Sequence, residues 1–219
     1  MDRLLTLLPE LWAATFETLY VVSIALLFGG LAGLLLGLAL YATRPGSLFP
    51  QRAVFGVLNV VVNFFRPIPF VILLAAVQPL ARGIGIPGIG PEFGIFAISL
   101  ASMFAISRIV EQNLLTVDRG VIEAARAAGA SRSRILFRLV PREALGPLIL
   151  GYTFILVALV DMTAIAGAVA AGGLGEFAIV YGFRQFNPAV TWAAVLVIIV
   201  IVQAVQFLGN ALARKVLRR

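Results

Sequence analysis

Residues 116–146 read TVDRGVIEAARAAGASRSRILFRLVPREALG, a charged, Ala-rich segment of about 30 residues set between two long apolar runs. Asp118 is placed to cap a helix through Val121-Ile122-Glu123-Ala124-Ala125-Arg126-Ala127-Ala128, because its carboxylate can accept from the unpaired N–H groups of a first turn. Gly129 supplies the left-handed residue that ends such a helix. Ser131 then caps a second helix, Arg132 to Val140, which Pro141 is expected to stop. The segment reads as two short helices about a glycine, a compact knob tethered at both ends.

What it is tethered to follows from composition. The 219 residues are 61% hydrophobic and 12% charged, with mean hydropathy +1.05, whereas a soluble domain has about 25% charged residues. A water-soluble globule is excluded. Five apolar stretches reach the roughly 20 residues needed to cross a bilayer: 18 to 41, 56 to 80, 93 to 115, 147 to 170 and 189 to 212. Turn residues separate them at Arg44-Pro45-Gly46, from Gly83 to Pro91, and at Asn187-Pro188. The expected fold is an all-α membrane protein of five spans, one domain over 1–219. Pro9, Glu10 and Glu17 interrupt the first apolar run, so the amino terminus reads as a short amphipathic lead-in and not as a cleavable signal.

The formal charge of +7 and pI near 11.0 would point to nucleic acid in a soluble chain. Here they report orientation. Arg44 and Arg52, then Arg119, Arg126, Arg132, Arg134, Arg138 and Arg142, then Arg214, Lys215, Arg218 and Arg219 fall on one side of the five spans; the other side has only Arg3, Arg82 and Arg184. Basic connections stay cytoplasmic, which puts the amino terminus outside and the carboxyl terminus inside. A helix-turn-helix DNA reader over Ala125 to Leu139 is excluded by its double tether to the membrane. An amphipathic segment on anionic lipid and a socket for a protein partner remain.

Cysteine and histidine are both absent, which removes disulfides, thiol nucleophiles and imidazole chemistry. A P-loop needs a lysine after its glycines, and the only lysine is Lys215 at the tail. The glycines of Gly167 to Gly175 therefore read as a helix end and tight turn on the outer side. No acid–base pair for an intramembrane enzyme is present, and no metal site is expected.

Within the spans four features are conspicuous. Gly29, Gly33 and Gly37 let two helices approach closely, either inside one subunit or between two. Asn63-Phe64-Phe65-Arg66-Pro67-Ile68-Pro69 is either a broken segment lining a pathway or a run whose arginine snorkels to the interface, and composition favours the anchor. Arg108 and Glu111, three apart, suit a local ion pair. Asp161 sits mid-span, where an ionisable group costs about 2.5–3.5 kcal/mol and marks a cavity, a partner or a pathway.

Glu123-Ala124-Ala125, three residues, then Gly129 resembles the EAA loop of binding-protein-dependent ABC importer permeases. Tyr41-Ala42-Thr43-Arg44-Pro45-Gly46, Asn63 to Leu74, Gly167 to Gly175 and Tyr181-Gly182-Phe183 are similar to the methionine-importer branch of that family. The resemblance covers nearly the whole chain. It implies the type I importer fold, in which loop 116–146 is a cytoplasmic coupling element docked on an ATPase subunit. Glu123, Ala124, Ala125 and Gly129 would be its docking core, with Arg126 and Arg132 as charged rim contacts; Asp161 and Ile165 are candidates for the pathway or its gate. It further implies a homodimer in the bacterial inner membrane with two ATPase copies, which hold the ATP and magnesium, and a solute-binding protein at the outer face. The cargo would be methionine, D or L, or another small amino acid. In the family pattern Leu-Pro precedes Glu-Ala, whereas here Pro141 stands one residue early and Arg142 holds the proline position. A self-sufficient channel or secondary carrier is the alternative, although five unequal spans do not form the matching halves of an inverted repeat.

Overall fold

The computed structural model describes residues 5–217, and among these residues all regular structure is helical. Arg3, Arg218 and Arg219, counted above for orientation, lie outside the described residues. The helices are α1 (Leu8–Thr43), α2 (Arg52–Phe65), α3 (Phe70–Gly83), α4 (Pro91–Leu114), α5 (Arg119–Ala127), α6 (Arg132–Arg134), α7 (Val140–Glu143), α8 (Leu145–Gly167), α9 (Gly173–Phe177) and α10 (Pro188–Leu217). Helices α1, α4, α8 and α10 are each long and apolar enough to span a bilayer.

From Leu8 onward the amino-terminal lead-in, Pro9, Glu10 and Glu17 included, is part of α1, a single helix of 36 residues, about 54 Å long at the α-helical rise. Pro9 stands in the first turn, where no backbone donor is needed. Glu10 lies beside it, favoured by the positive end of the helix dipole. Glu17 is held from outside the helix, since its carboxylate accepts from the Gly173 N–H at 2.6 Å. The acids that interrupt the apolar run therefore do not interrupt the helix.

The stretch 56 to 80 is not one straight span. It forms α2 and α3, 14 residues each, which meet at an angle of 110°. Pro67 and Pro69 carry no backbone donor, so a continuous ladder cannot cross them. Arg66 sits exposed at the elbow, while Ile68 and Phe70 pack against the central core and fix the bend. The run is thus broken at the elbow, and the exposed Arg66 at the break fits the anchoring reading as well as the pathway one. Each half is only about 21 Å long, too short to cross the hydrocarbon layer alone.

Helix α1 packs along α4 through its glycines. A Cβ at Gly29 would lie 2.7 Å from the Ser99 carbonyl oxygen, one at Gly33 2.9 Å from that of Met103, and one at Gly37 2.6 Å from that of Ser107. The small-residue series is accordingly an intrasubunit seam, which lets two backbones meet without side chains between them. Helix α8 closes the core from the other side: Tyr152 Oη donates to the Gly30 carbonyl at 2.9 Å, and Leu159 is fully buried. Helix α10 lies on α8 with Gly209 against Thr153, but half of its residues, including Trp192, Val200 and Phe207, are exposed. Apolar surface of that extent fits a protein solvated by lipid.

Candidate functional site

The knob between α4 and α8 is built as its residue types dictate. Asp118 accepts from Gly120 N–H at 2.6 Å and opens α5. The helix ends at Gly129, whose φ of +81° lies in the left-handed region. Ser131 then accepts from Arg134 N–H at 3.2 Å and opens α6. Two short helices about a glycine are therefore formed as expected.

The exit differs. Pro141 does not stop the second helix, because residues Ile135–Leu139 widen into a π-helical turn in which Val140 N–H donates to Ile135 C=O. Pro141 then falls in the first turn of α7, where its missing donor leaves no gap in the ladder. The chain remains helical to Glu143 and, after Ala144, passes directly into α8.

Helix α5 has no fully buried residue. Ile122 and Ala125 lean on the core together with Ala130, whereas Glu123, Ala124, Arg126, Gly129 and Arg132 are exposed. Five of the six candidate docking residues thus share the open side of one knob, and Ala125 seats it. Between α5 and the end of α1 is a cleft of about 220 Å³, lined by Tyr41, Arg44, Arg119, Ile122, Glu123 and Arg126 among others. It joins the Arg44-Pro45-Gly46 connection to the knob, so both basic segments stand at one end of the bundle.

Behind the knob, the Arg108–Glu111 pair is present and larger than its spacing implies. Arg108 Nη1 donates to Glu111 Oε2 at 2.5 Å, and Nη2 donates to Asn59 and Asn63 Oδ1, each at 2.7 Å. Arg44 approaches Glu111 Oε1 at 3.5 Å, and the Glu111 side chain is 1% exposed. One buried carboxylate therefore ties the end of α1 to α4, and through Arg108 to α2. Sequence reasoning missed the Asn59, Asn63 and Arg44 contributions. The available hint was Asn59 and Asn63 four apart in an apolar run, one face of a helix.

At the opposite end the Gly167 to Gly175 segment is a helix end and turn, with Ala170, Gly172 and Gly173 all at positive φ. Gly173 N–H donates to Glu17, Leu174 N–H to Thr18 Oγ1 at 2.8 Å, and Gly172 N–H to Glu176 at 2.9 Å. The turn is pinned to α1 by side chains that sequence reading did not connect with it. Asp161 and Ile165 lie one helical turn apart near this end of α8. Asp161 is exposed and makes no hydrogen bond or ion pair among the described residues, while Ile165 is half-buried. Leu150, Phe154 and Asp161 stand on the exposed part of α8. The 116–146 knob and the Asp161 face are thus separate, at different levels of the bundle.

Comparison with known proteins agrees with this architecture. Residues 29–218 match the family described as binding-protein-dependent transport system inner membrane component. The methionine import system permease protein MetP of Bacillus subtilis (strain 168) is 41% identical over 212 residues, covering 97% of this chain and 96% of the relative. The probable D-methionine transport system permease protein MetI of Vibrio cholerae serotype O1 is 36% identical over 206 residues, 94% and 92% of the two chains. Among solved structures, a chain of the inward-facing MetNI methionine ABC transporter superimposes with a TM-score of 0.93 at 34% identity, over 96% of this chain and 98% of that one.

Proposed function

The chain belongs to the binding-protein-dependent transport inner-membrane components, in the branch of methionine-importer permeases, and from that premise we propose that it is the translocating subunit of an ATP-driven importer for methionine or a closely related amino acid. Its place is the inner membrane, and its fold is the type I importer permease fold. In this reading residues 1–219 are one transmembrane domain that works as a homodimer, amino termini outside and carboxyl termini inside.

The observation that carries the proposal is the exposed knob at 116–146, held rigid by two caps and one left-handed glycine. Glu123, Ala124, Gly129, Arg126 and Arg132 present its surface to an ATPase subunit, and Ala125 fixes the knob to the bundle. The motor is a separate chain, one copy per permease, and carries the ATP and magnesium. A solute-binding protein delivers cargo at the other end, near the glycine turn. This chain makes and breaks no bonds with its cargo.

Transport follows as a two-state problem, in which nucleotide state on the motor biases inward-open against outward-open arrangements of the spans. The knob passes directly into α8 through a helical exit, so displacement of α5 moves α8 and the Asp161–Ile165 face with it. The Glu111 cluster gives the same displacement a route to α1 and α2. Co-purification tests the docking: the ATPase subunit should accompany the full-length chain and be lost when Glu123→Arg and Ala124→Arg are combined. Retention of the ATPase by that variant would overturn the docking assignment.

A further inference from the structure

Helix α5 turns one face toward the end of α1. Arg119, Ile122, Glu123 and Arg126 stand at i, i+3, i+4 and i+7, a single helical face, and all four line the cleft of about 220 Å³ between the two helices. Ile122 leans on the core between the two arginines. The facing wall is Tyr41 with the connection from Arg44 to Leu48, and the lining as a whole is more polar than apolar.

Tyr41 makes this cleft more than a gap between helices. Its side chain is 5% exposed, yet its hydroxyl has no hydrogen bond among the described residues and still reaches open space. The cleft is where it emerges. The hydroxyl of so buried a tyrosine ordinarily has a partner. The charges of Arg119 and Arg126 both act on this hydroxyl, so the two arginines bring their guanidinium groups toward it from the two ends of the α5 face. Neither has a side-chain hydrogen bond or ion pair among the described residues. Arg44 differs, since its Nη1 already donates to Glu111 Oε1 at 3.5 Å. Two free cations and one free O–H donor therefore converge, a donor set suited to a carboxylate or phosphate oxyanion.

Glu123 selects the source of that oxyanion. Its carboxylate lines the same cleft and has no ion pair among the described residues. A free phosphate is drawn by the arginines and repelled by Glu123. A protein surface carries both signs and can satisfy the arginines and Glu123 together, the complementarity that fixes register at interfaces. Glu123 and Arg126 are also on the exposed side of the knob where the motor is proposed to sit.

We infer that the cleft is a socket for one carboxylate side chain of the ATPase subunit, held between Arg119 and Arg126 and accepting a hydrogen bond from the Tyr41 hydroxyl. The inference rests on the docking reading of the knob and extends it to α1: a motor seated this way grips the end of α1 as well as α5.

The test measures binding of the purified ATPase subunit to the full-length permease in mild detergent. Tyr41→Phe removes one oxygen at constant shape and should weaken binding about tenfold, the effect of losing a hydrogen bond to a charged group. Arg119→Gln should weaken it comparably, and Arg119→Lys should lose less. Arg119→Glu with Arg126→Glu should abolish binding, and replacing the surface acids of the ATPase by Lys one at a time should identify one that restores it. Such rescue also shows that the doubly substituted permease is folded. Wild-type binding by both Tyr41→Phe and Arg119→Gln would overturn the socket, and so would the absence of any rescuing acid. If Glu123→Arg with Ala124→Arg still releases the ATPase in either case, the docking reading survives the loss of the socket. Stabilisation of the permease alone by sodium phosphate beyond sodium chloride of equal ionic strength, lost in Tyr41→Phe, would make the occupant a free anion and overturn the partner assignment.

Discussion

Gly129 is the residue on which the 116–146 knob turns. Its φ of +81° is left-handed, and a Cβ there would meet nothing within 4 Å, so the requirement is backbone conformation and not space. Gly129→Asn should be tolerated, because Asn visits that region readily. Gly129→Val should cost more than the roughly 1–2 kcal/mol of an ordinary side chain there; it should retain membrane insertion and ATP hydrolysis by the partner while uptake falls at least tenfold. Comparing hydrolysis and uptake for the two variants in one reconstituted system checks this. Glu111 is the second decisive residue. Replacing Arg108 by Met removes the nearest cation from a 1%-exposed carboxylate, and breaking such a buried pair costs about 3–5 kcal/mol. A thermal-unfolding shift of the purified chain reads that loss, and Glu111→Gln should shift it less. Asp161 is the third, exposed and unpaired on a spanning helix. A pathway role predicts that Asp161→Asn slows uptake several-fold with ATPase co-purification intact, and wild-type uptake across pH would return the residue to structure.

At the scale of elements, the α1–α4 seam is the most constrained contact. Gly37 has the Ser107 carbonyl where a Cβ would go, at 2.6 Å, and overpacking of this kind typically costs 1–3 kcal/mol. Gly33→Val with Gly37→Val should therefore lower the unfolding temperature and the yield of inserted protein; unchanged stability would show that the helices can part there. The caps of α5 and α6, the left-handed glycine and the four long spans were legible from Asp118, Gly129, Ser131 and apolar run length, because each depends on neighbours a few residues away. The elbow at Arg66 to Pro69 was only half legible. The prolines show that a helix cannot pass cleanly, yet the 110° angle depends on Ile68 and Phe70 packing on distant helices. Pro141 misled for a similar reason: whether it ends a helix or opens the next depends on the π turn before it, which no local pattern marks.

The whole molecule is organised between two ends. At one, α5, the Arg44 connection and the Glu111 cluster gather the basic and polar residues; at the other, Glu17 and Thr18 of α1 hold the glycine turn that follows α8. These pairs are 67 and 156 residues apart in the chain, and the partner of Glu17 lies too far along the chain for its local sequence to show. Composition and the Glu123 to Gly129 motif carried the class of machine, since both are properties of the chain alone. The central claim is that this chain moves its cargo only as a motor seated on α5 drives it. It is tested most directly by uptake of labelled methionine into proteoliposomes holding the permease, its ATPase subunit and the binding protein. Uptake should require ATP and the ATPase subunit together, and Gly129→Val should abolish it while hydrolysis persists. Equal uptake by the permease alone, or by the Gly129→Val complex, would contradict the account.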